Sequence, residues 1–274
     1  MIVRYNSAQE FLDSTADLRA SDLVRTNLIS SIASSVANGT RSYDAYFWWA
    51  AKELDKTLGM AIRTAPYGYV FSPMPEKVAD ELFDAITAYD TAATDFAGPK
   101  KVIDQLSERL QVLESESELI YELKEFKPAK NIGFVRKAVS SDFAMILKWI
   151  RDFIAETELT SFNTESVVRS NIESGNYFLL EVDGVPVSLG GLVPAVSVMD
   201  KKIARIGPIY TPKEFRKQGY ASAITSYLCE LLVSKGVIAT LYTQADNPTS
   251  NKIYQDLGFE LVEESRRIKI ISGD

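Results

Sequence analysis

The stretch Arg216-Lys217-Gln218-Gly219-Tyr220-Ala221 lies between a predicted strand and a predicted helix, and it indicates how the C-terminal half of the chain folds. Upstream, the apolar pattern of residues 204–211 predicts the strand. Downstream, apolar residues recur at the spacing of one buried helix face: Ile224, Tyr227, Leu228, Leu231 and Leu232. The order of strand, glycine-containing loop and helix is typical of a site that binds a chain of phosphates.

Three physical properties of this loop predict an anion-binding site. The first amides of a helix have no partner within the helix, and the helix dipole favours a negative charge beside them. Gly219 lacks a side chain that would keep phosphates away from the backbone. Arg216 and Lys217 add positive charge at the same place. Ser222, in the first predicted turn, either contacts a phosphate oxygen or caps the helix.

A second motif follows at residues 246–259, DNPTSNKIYQDLGF, directly after a predicted strand over residues 241–245. Together with the Arg-x-x-Gly-x-Ala pattern of the loop, it resembles the two signatures of the GNAT superfamily of N-acetyltransferases. The resemblance covers about residues 134–271. It implies a mixed α/β fold with a GNAT-like, mostly antiparallel central sheet flanked by helices. It also implies that the loop binds acetyl-CoA.

The resemblance further implies which residues contact the cofactor. An extended backbone at the end of the strand would pair with the amide groups of pantetheine, as an added strand would; an ordinary strand end before Pro212 is the alternative. Asn247 is either a cofactor contact or a helix cap. The residues with an implied cofactor contact are Ile209, Tyr210, Thr211, Arg216, Lys217, Gln218, Gly219, Tyr220, Ala221, Ser222, Asn247, Asn251 and Tyr254.

Tyr254 matches the position of the family's catalytic tyrosine, so the resemblance implies that it is the catalytic residue. A phenol with a pKa of about 10 can protonate a departing thiolate; a core aromatic residue is the alternative. The implied reaction moves an acetyl group to a primary amine of a small-molecule or peptide acceptor in a ternary complex. An acyl-CoA-binding regulatory protein without turnover is the rival hypothesis.

The general base remains open at this stage. Two carboxylates, Glu156 and Glu158, lie at the predicted end of a helix, where members of the family often shape the acceptor site. Asp246 ends a strand beside the implied cofactor site, and Glu181 lies on another strand. Each of these residues is more often a solvated surface carboxylate than a base, and a chain of water molecules would serve the same purpose.

A charged segment at residues 123–133 predicts the boundary between two domains, residues 1–130 and residues 131–274. In the second domain we expect a strand at 134–138, a helix that Ser141 caps and that ends at about Glu158, a helix at 164–174, and a hairpin around Asp183-Gly184.

The first domain is predicted to be a smaller α/β domain. Its apolar runs 46–51 and 58–63 flank a polar turn as in the second domain, since Tyr46 and Gly59 are spaced like Tyr177 and Gly190. Helices are predicted at 75–89 and 99–113. This domain is either a second GNAT-like domain that has lost its cofactor loop or an unrelated α/β domain.

The composition excludes several classes of function. The net charge of −7 disfavours non-specific binding to nucleic acids or anionic membranes, and the absence of histidine excludes a His-ligated metal site. We therefore expect no metal, nucleic-acid or membrane partner. The single cysteine, Cys229, is interpreted as a packed helix residue, excludes an internal disulfide and fits a reducing cytoplasm. No segment is typical of a membrane span or a signal peptide, which predicts a cytoplasmic protein. We also expect a monomer or a homodimer.

Overall fold

The structure, a computed structural model, describes residues 1–157 and 164–271. The chain forms two compact units. Unit 1 comprises Met1–Ile120, Val196–Ile203 and Leu261–Asp274, and unit 2 comprises Tyr121–Ala195 and Ala204–Glu260. The boundary predicted at residue 130 separates the two halves of the sequence. The two compact units are defined instead by which residues pack together, so each unit includes residues from both halves.

The two halves of the sequence have the same order of elements. Each half runs through a strand, a group of helices, three strands, a helix, a strand, a helix and a last strand. The first half contains β1 (Ile2–Tyr5), α1 (Ala8–Ser14), α2 (Ala16–Ser21), α3 (Asn27–Ala37), β2 (Ala45–Glu53), β3 (Lys56–Ala65), β4 (Tyr69–Phe71), α4 (Glu76–Tyr89), β5 (Asp95–Pro99), α5 (Lys100–Ser107) and β6 (Val112–Leu123). The second half contains β7 (Phe134–Lys137), α6 (Phe143–Thr157), α7 (Thr164–Glu173), β8 (Tyr177–Val182), β9 (Val185–Val198), β10 (Lys201–Tyr210), α8 (Tyr220–Val233), β11 (Ile238–Gln244), α9 (Pro248–Asp256) and β12 (Phe259–Ile270).

The sheet of unit 1 has the strand order β1-β2-β3-β4-β5-β12. Strands β2 and β3 form an antiparallel hairpin, β4 and β5 pair in parallel, and residues 265–269 of β12 pair antiparallel with β5. Alternation along β2 sends Trp48 and Trp49 to opposite faces of the sheet. Trp48 joins a core with Phe11 and Ile29 of the α1–α3 layer, and Trp49 joins a second core with Leu82 of α4. Both tryptophans are therefore buried core residues of unit 1.

The strands of unit 2 lie in the order β11-β10-β9-β8-β7, and the last residues of β6, 121–123, belong to the same unit. One face packs against α6 and α7 through a core that includes Ile146, Val168 and Leu179. On β9, a Cβ atom at Gly190 would lie 2.9 Å from Leu228 Cδ1, so α8 packs closely on the strand at this glycine. Unit 2 thus has α8 against β9 and carries the loop between β10 and α8.

Three local predictions were wrong. The helix expected at 99–113 ends at Ser107, and residues 112–123 form β6, because pairing in a sheet overrides a helix-like spacing of a few leucines. Ser141 does not cap α6, since it lies within a 3-10 turn, Ser140–Asp142, whose Asp142 carboxylate accepts a 2.8 Å bond from Val139 N. Tyr227 is 36% exposed, whereas we expected it on the buried face of α8.

Candidate functional site

The loop between β10 and α8 leaves the N-terminus of α8 open. Gly219 is the N-cap residue at φ +82°, a conformation that favours glycine, and it has no side chain with which to cap the helix. The amide of Ala223 donates the first intrahelical hydrogen bond, to Gly219 O at 3.0 Å. The amides of the preceding turn, which includes Ala221 and Ser222, are therefore free of a capping side chain and available to a ligand.

The two cations of the loop differ in their surroundings. Arg216 Nε donates to Thr211 O at 2.9 Å, and Arg216 Nη2 donates to Glu156 Oε2 at 2.6 Å. The guanidinium is thus held at the C-terminal end of α6. Lys217 has φ +64° and is exposed, and it makes no ion pair within residues 1–157 and 164–271. Lys217 is therefore the loop cation that is free to meet a ligand.

Two further loop residues bond to each other, since the Tyr220 hydroxyl donates to Gln218 Oε1 at 2.9 Å. Gln218 is exposed and Tyr220 is buried at the start of α8. This bond links the side chains on either side of Gly219.

The end of β10 is held by side chains from neighbouring elements. The Tyr210 ring packs against Trp149 and Phe153 of α6, and burial together with the charge of Glu156 raises the pKa of the Tyr210 hydroxyl. The hydroxyl of Ser188, which is fully buried on β9, donates to Tyr210 O at 3.1 Å and lies 2.9 Å from Thr211 Oγ1. Tyr210 is thus a core residue by its side chain, and any pairing of residues 209–211 with a ligand would use their backbone.

The asparagines of the second motif have distinct partners. Asn247 caps α9, because its Oδ1 accepts a 3.0 Å hydrogen bond from Ser250 N. Asn251 Nδ2 donates to the carbonyls of Gln244 and Ala245 at 3.3 Å each. Asn251 Oδ1 is buried and has no partner among the described residues. A buried, unsatisfied acceptor costs about 1–3 kcal/mol, so this oxygen fits a ligand that carries an N–H donor.

Tyr254 is buried on α9, and its ring packs edge-on against Phe259 at a centroid distance of 6.1 Å. Burial raises the pKa of the Tyr254 hydroxyl to about 12, and a hydrogen bond with Ser250 opposes this shift. The phenol therefore stays protonated at neutral pH and can act as a proton donor.

The last turn of α6 connects the two motifs. Glu156 accepts the hydrogen bond from Arg216, and Thr157 O accepts a 2.8 Å bond from Gln244 Nε2. Gln244 O in turn accepts from Asn251. Neither Gln244 nor Ser188 was among the site residues predicted from the sequence. The feature of the sequence that could have indicated each of them is a polar side chain within an otherwise apolar strand.

The candidate general bases fall into different environments. The Glu156 carboxylate is engaged, since Arg216 binds one oxygen and the other lies 3.8 Å from Lys213 Nζ and 3.5 Å from the Tyr210 hydroxyl. Glu181 pairs with Arg136 at 2.8 Å. Asp246 is exposed after β11, and Glu158 lies outside the described residues. We find no carboxylate among residues 1–157 and 164–271 that the structure singles out as a base.

Cys229 is fully buried in α8, and burial raises the pKa of its thiol to about 12. This environment fits the predicted packing role. Among the described residues, no group of three or more aspartate, glutamate or cysteine side chains is placed to hold a metal ion. No helix in the same part of the chain is both long and apolar enough to cross a membrane.

Comparisons with known proteins confirm the fold. Residues 194–268 match the model of a family described as FR47-like protein. A GNAT-family acetyltransferase from Colwellia psychrerythraea matches with a TM-score of 0.65 at 11% identity, over 99% of this chain and 100% of its own. A tandem GNAT protein from the clavulanic acid biosynthesis pathway matches with a TM-score of 0.62 at 9% identity, over 100% and 99% of the two chains.

A GCN5-related N-acetyltransferase from Sphaerobacter thermophilus has a TM-score of 0.62 at 12% identity and covers 100% of this chain and 97% of its own. Among curated proteins, none matches this sequence. Together with the repeated order of elements, the structural matches confirm the predicted GNAT resemblance, with a mixed α/β fold, a mostly antiparallel sheet and two GNAT-like halves.

Proposed function

We propose that this chain, whose two halves both have the GNAT fold, is an acetyl-CoA-dependent N-acetyltransferase that acts on a primary amine. In this proposal residues 131–274 carry the cofactor site and the chemistry, and residues 1–130 cap the acceptor site or form a dimer surface. The observation that carries the proposal is the open N-terminus of α8, where Gly219 at φ +82° leaves the first-turn amides available.

The residues around this helix N-terminus fit the proposed cofactor. The pyrophosphate would be held by the amides of residues 220–222 and by Lys217, which is exposed and makes no ion pair within the described ranges. Asn251 Oδ1, the buried oxygen without a partner among the described residues, would accept a hydrogen bond from an amide of the pantetheine arm. Bound acetyl-CoA supplies an acyl thioester as the donor of the acetyl group.

Tyr254 is the proposed general acid. Its raised pKa of about 12 keeps the hydroxyl protonated at neutral pH, so it can give its proton to the departing thiolate sulfur. The acceptor amine must lose a proton before it attacks, since a free alkylamine has a pKa of about 10.4. Because the Glu156 carboxylate is engaged by Arg216, we assign this proton to water rather than to Glu156.

Release of the CoA thiol in the presence of a broad panel of amines tests the proposal, with acetyl-CoA binding measured calorimetrically on the same protein. A thiol-specific dye reports this release cleanly, because the only cysteine is buried and its pKa is raised to about 12. We expect tight binding and amine-dependent release. Binding without release for any amine would favour the regulatory alternative, and no binding would contradict both hypotheses.

Replacement of Tyr254 by phenylalanine tests the assigned acid. We expect Tyr254→Phe to lower turnover by roughly 10²–10⁴ while the dissociation constant of acetyl-CoA stays within about twofold. Tyr227→Phe, which removes a hydroxyl from a partly exposed position on α8, is the matched control and should retain full turnover. Wild-type turnover of Tyr254→Phe would assign this residue to packing alone.

A further inference from the structure

The segment that joins the two halves of the sequence, residues 124–133, is fixed to the elements of the candidate cofactor site. Lys124 N and Glu125 N both donate to Gly258 O, at 3.1 and 3.4 Å, and Lys127 N donates to Leu257 O at 3.0 Å. These bonds attach the start of the linker segment to the turn after α9. The linker segment is thus an ordered part of unit 2.

The second part of the linker segment runs along α8 towards its N-terminus. Ala129 N donates to Ser226 Oγ at 3.0 Å, and Ile132 Cδ1 lies 3.3 Å from the position that a Cβ atom of Gly219 would occupy. Gly219 and Ser226 are seven positions apart, which is about 10 Å of helix. Ala129 and Ile132 are three positions apart, which is about the same length when the chain is extended. The linker segment therefore lies antiparallel to the first two turns of α8.

Gly133 ends this path at a fixed point. Its φ is +75°, and a Cβ atom there would lie 2.2 Å from Glu181 O of β8. Only glycine fits this approach, so the linker segment passes close to the backbone of β8 at this point. Ile132, the preceding residue, lies with its Cδ1 beside Gly219.

Lys130 lies between the two contacts with α8. It is exposed, and it makes no ion pair among residues 1–157 and 164–271, whereas Lys127 in the same segment pairs with Glu125 at 3.7 Å. Coenzyme A carries a pyrophosphate and a separate 3′-phosphate on its ribose. With Arg216 engaged by Glu156, Lys217 on the loop before α8 and Lys130 on the linker segment are exposed lysines without an ion pair among the described residues, and each could meet one of these groups.

We propose that the linker segment forms one wall of the nucleotide end of the cofactor site, and that Lys130 binds the 3′-phosphate of CoA. Ile132 contacts the part of the cofactor that lies against Gly219. This assignment rests on the proposed cofactor site. It gives the segment between the two halves a role in recognition beyond that of a connection.

Calorimetric dissociation constants for CoA and for dephospho-CoA, which lacks the 3′-phosphate, test the assignment. We expect the wild-type chain to bind CoA about fivefold more tightly than dephospho-CoA, the size of a partly exposed ion pair. Lys130→Gln should weaken the binding of CoA about fivefold and leave the dissociation constant of dephospho-CoA unchanged. Lys127→Gln is the matched control, and it should preserve both constants because Lys127 has a partner within the segment.

The alternative outcomes are distinguishable. If Lys130→Gln preserves the wild-type ratio of the two constants, or weakens both ligands equally, the role of Lys130 is overturned. We expect Ile132→Ala to weaken the binding of both ligands by about threefold. If it leaves both dissociation constants unchanged, the proposal that the linker segment forms a wall of the site is overturned. Equal wild-type affinity for the two ligands overturns this inference and leaves the proposed function standing. Binding of neither ligand contradicts the proposed function itself.

Discussion

Gly258 shows how a single residue of the second motif is fixed by its surroundings. Its φ is +95°, and a Cβ atom there would lie 1.7 Å from Glu125 O, a backbone atom. The residue also accepts hydrogen bonds from the amides of Lys124 and Glu125. The glycine of the Leu-Gly-Phe sequence is therefore required by the close approach of the linker segment, in addition to the turn after α9.

We expect Gly258→Ala to lower the free energy of unfolding by about 3 kcal/mol, since it combines an unfavourable φ with a clash against backbone. Gly236→Ala is the matched control, because Gly236 has φ +64° but nothing lies within 4 Å of the position that a Cβ atom would take there. Gly236→Ala should lower the free energy of unfolding by only about 1 kcal/mol. Urea unfolding of the two variants measures the difference, and equal costs would mean that the contact with Glu125 does not matter.

Sequence alone could indicate that Gly258 and Gly219 matter, but not why. Both stand in motifs with recognisable spacing, so their positions were predictable. The partners that fix them, Glu125 and Ile132, lie far away in the sequence and carry no motif. Likewise, the sequence predicted that Arg216 and Lys217 both add positive charge at the ligand, whereas the structure pairs Arg216 with Glu156. Such pairings depend on tertiary neighbours and leave no local pattern.

At the scale of elements, the two cations of the loop before α8 have different roles. Arg216 ties the loop to the last turn of α6 through Glu156 and to the end of β10 through Thr211 O. Lys217 points to no carboxylate within the described ranges. The first residue thus orients the loop, and the second is available for electrostatic attraction of an anionic ligand.

We expect Lys217→Gln to weaken acetyl-CoA binding about fivefold, with the loss shrinking at high salt as an exposed charge is screened. Arg216→Gln should weaken binding less and instead lower the melting temperature slightly, because the exposed Glu156–Arg216 pair contributes at most about 1 kcal/mol. Calorimetry at two salt concentrations and thermal unfolding give both quantities. A larger loss of acetyl-CoA affinity in Arg216→Gln than in Lys217→Gln would show that Arg216 leaves Glu156 to bind phosphate.

The elements also show where periodicity suffices for prediction. The hairpins β2–β3 and β8–β9 were predicted from apolar runs that flank polar turns, and both are present. β6 was missed because residues 114–118 are all polar and show no apolar alternation, so the helix-like spacing of the preceding leucines dominated the pattern. A strand of this kind is defined by its neighbours in the sheet rather than by its own sequence.

At the scale of the whole molecule, the two halves share an order of elements but differ in the loop that matters for the proposed function. The loop between β4 and α4 in unit 1 reads Ser72-Pro73-Met74-Pro75 and contains no glycine. Pro75 is the N-cap of α4, Glu76 places a carboxylate in its first turn, and the Met74 side chain packs against Gly59. Proline has no amide to donate, and the carboxylate repels phosphate.

We therefore expect one acetyl-CoA site per chain rather than two. Calorimetric titration should give a stoichiometry of about one, and Gly219→Glu should abolish binding because its side chain fills the loop and repels phosphate. Pro75→Gly is the matched change in unit 1 and should leave both the stoichiometry and the affinity unchanged. A stoichiometry of two, or one remaining equivalent in folded Gly219→Glu, would show that the loop of unit 1 still binds the cofactor. A single site would mean that the first half has the fold without a helix N-terminus that binds the cofactor.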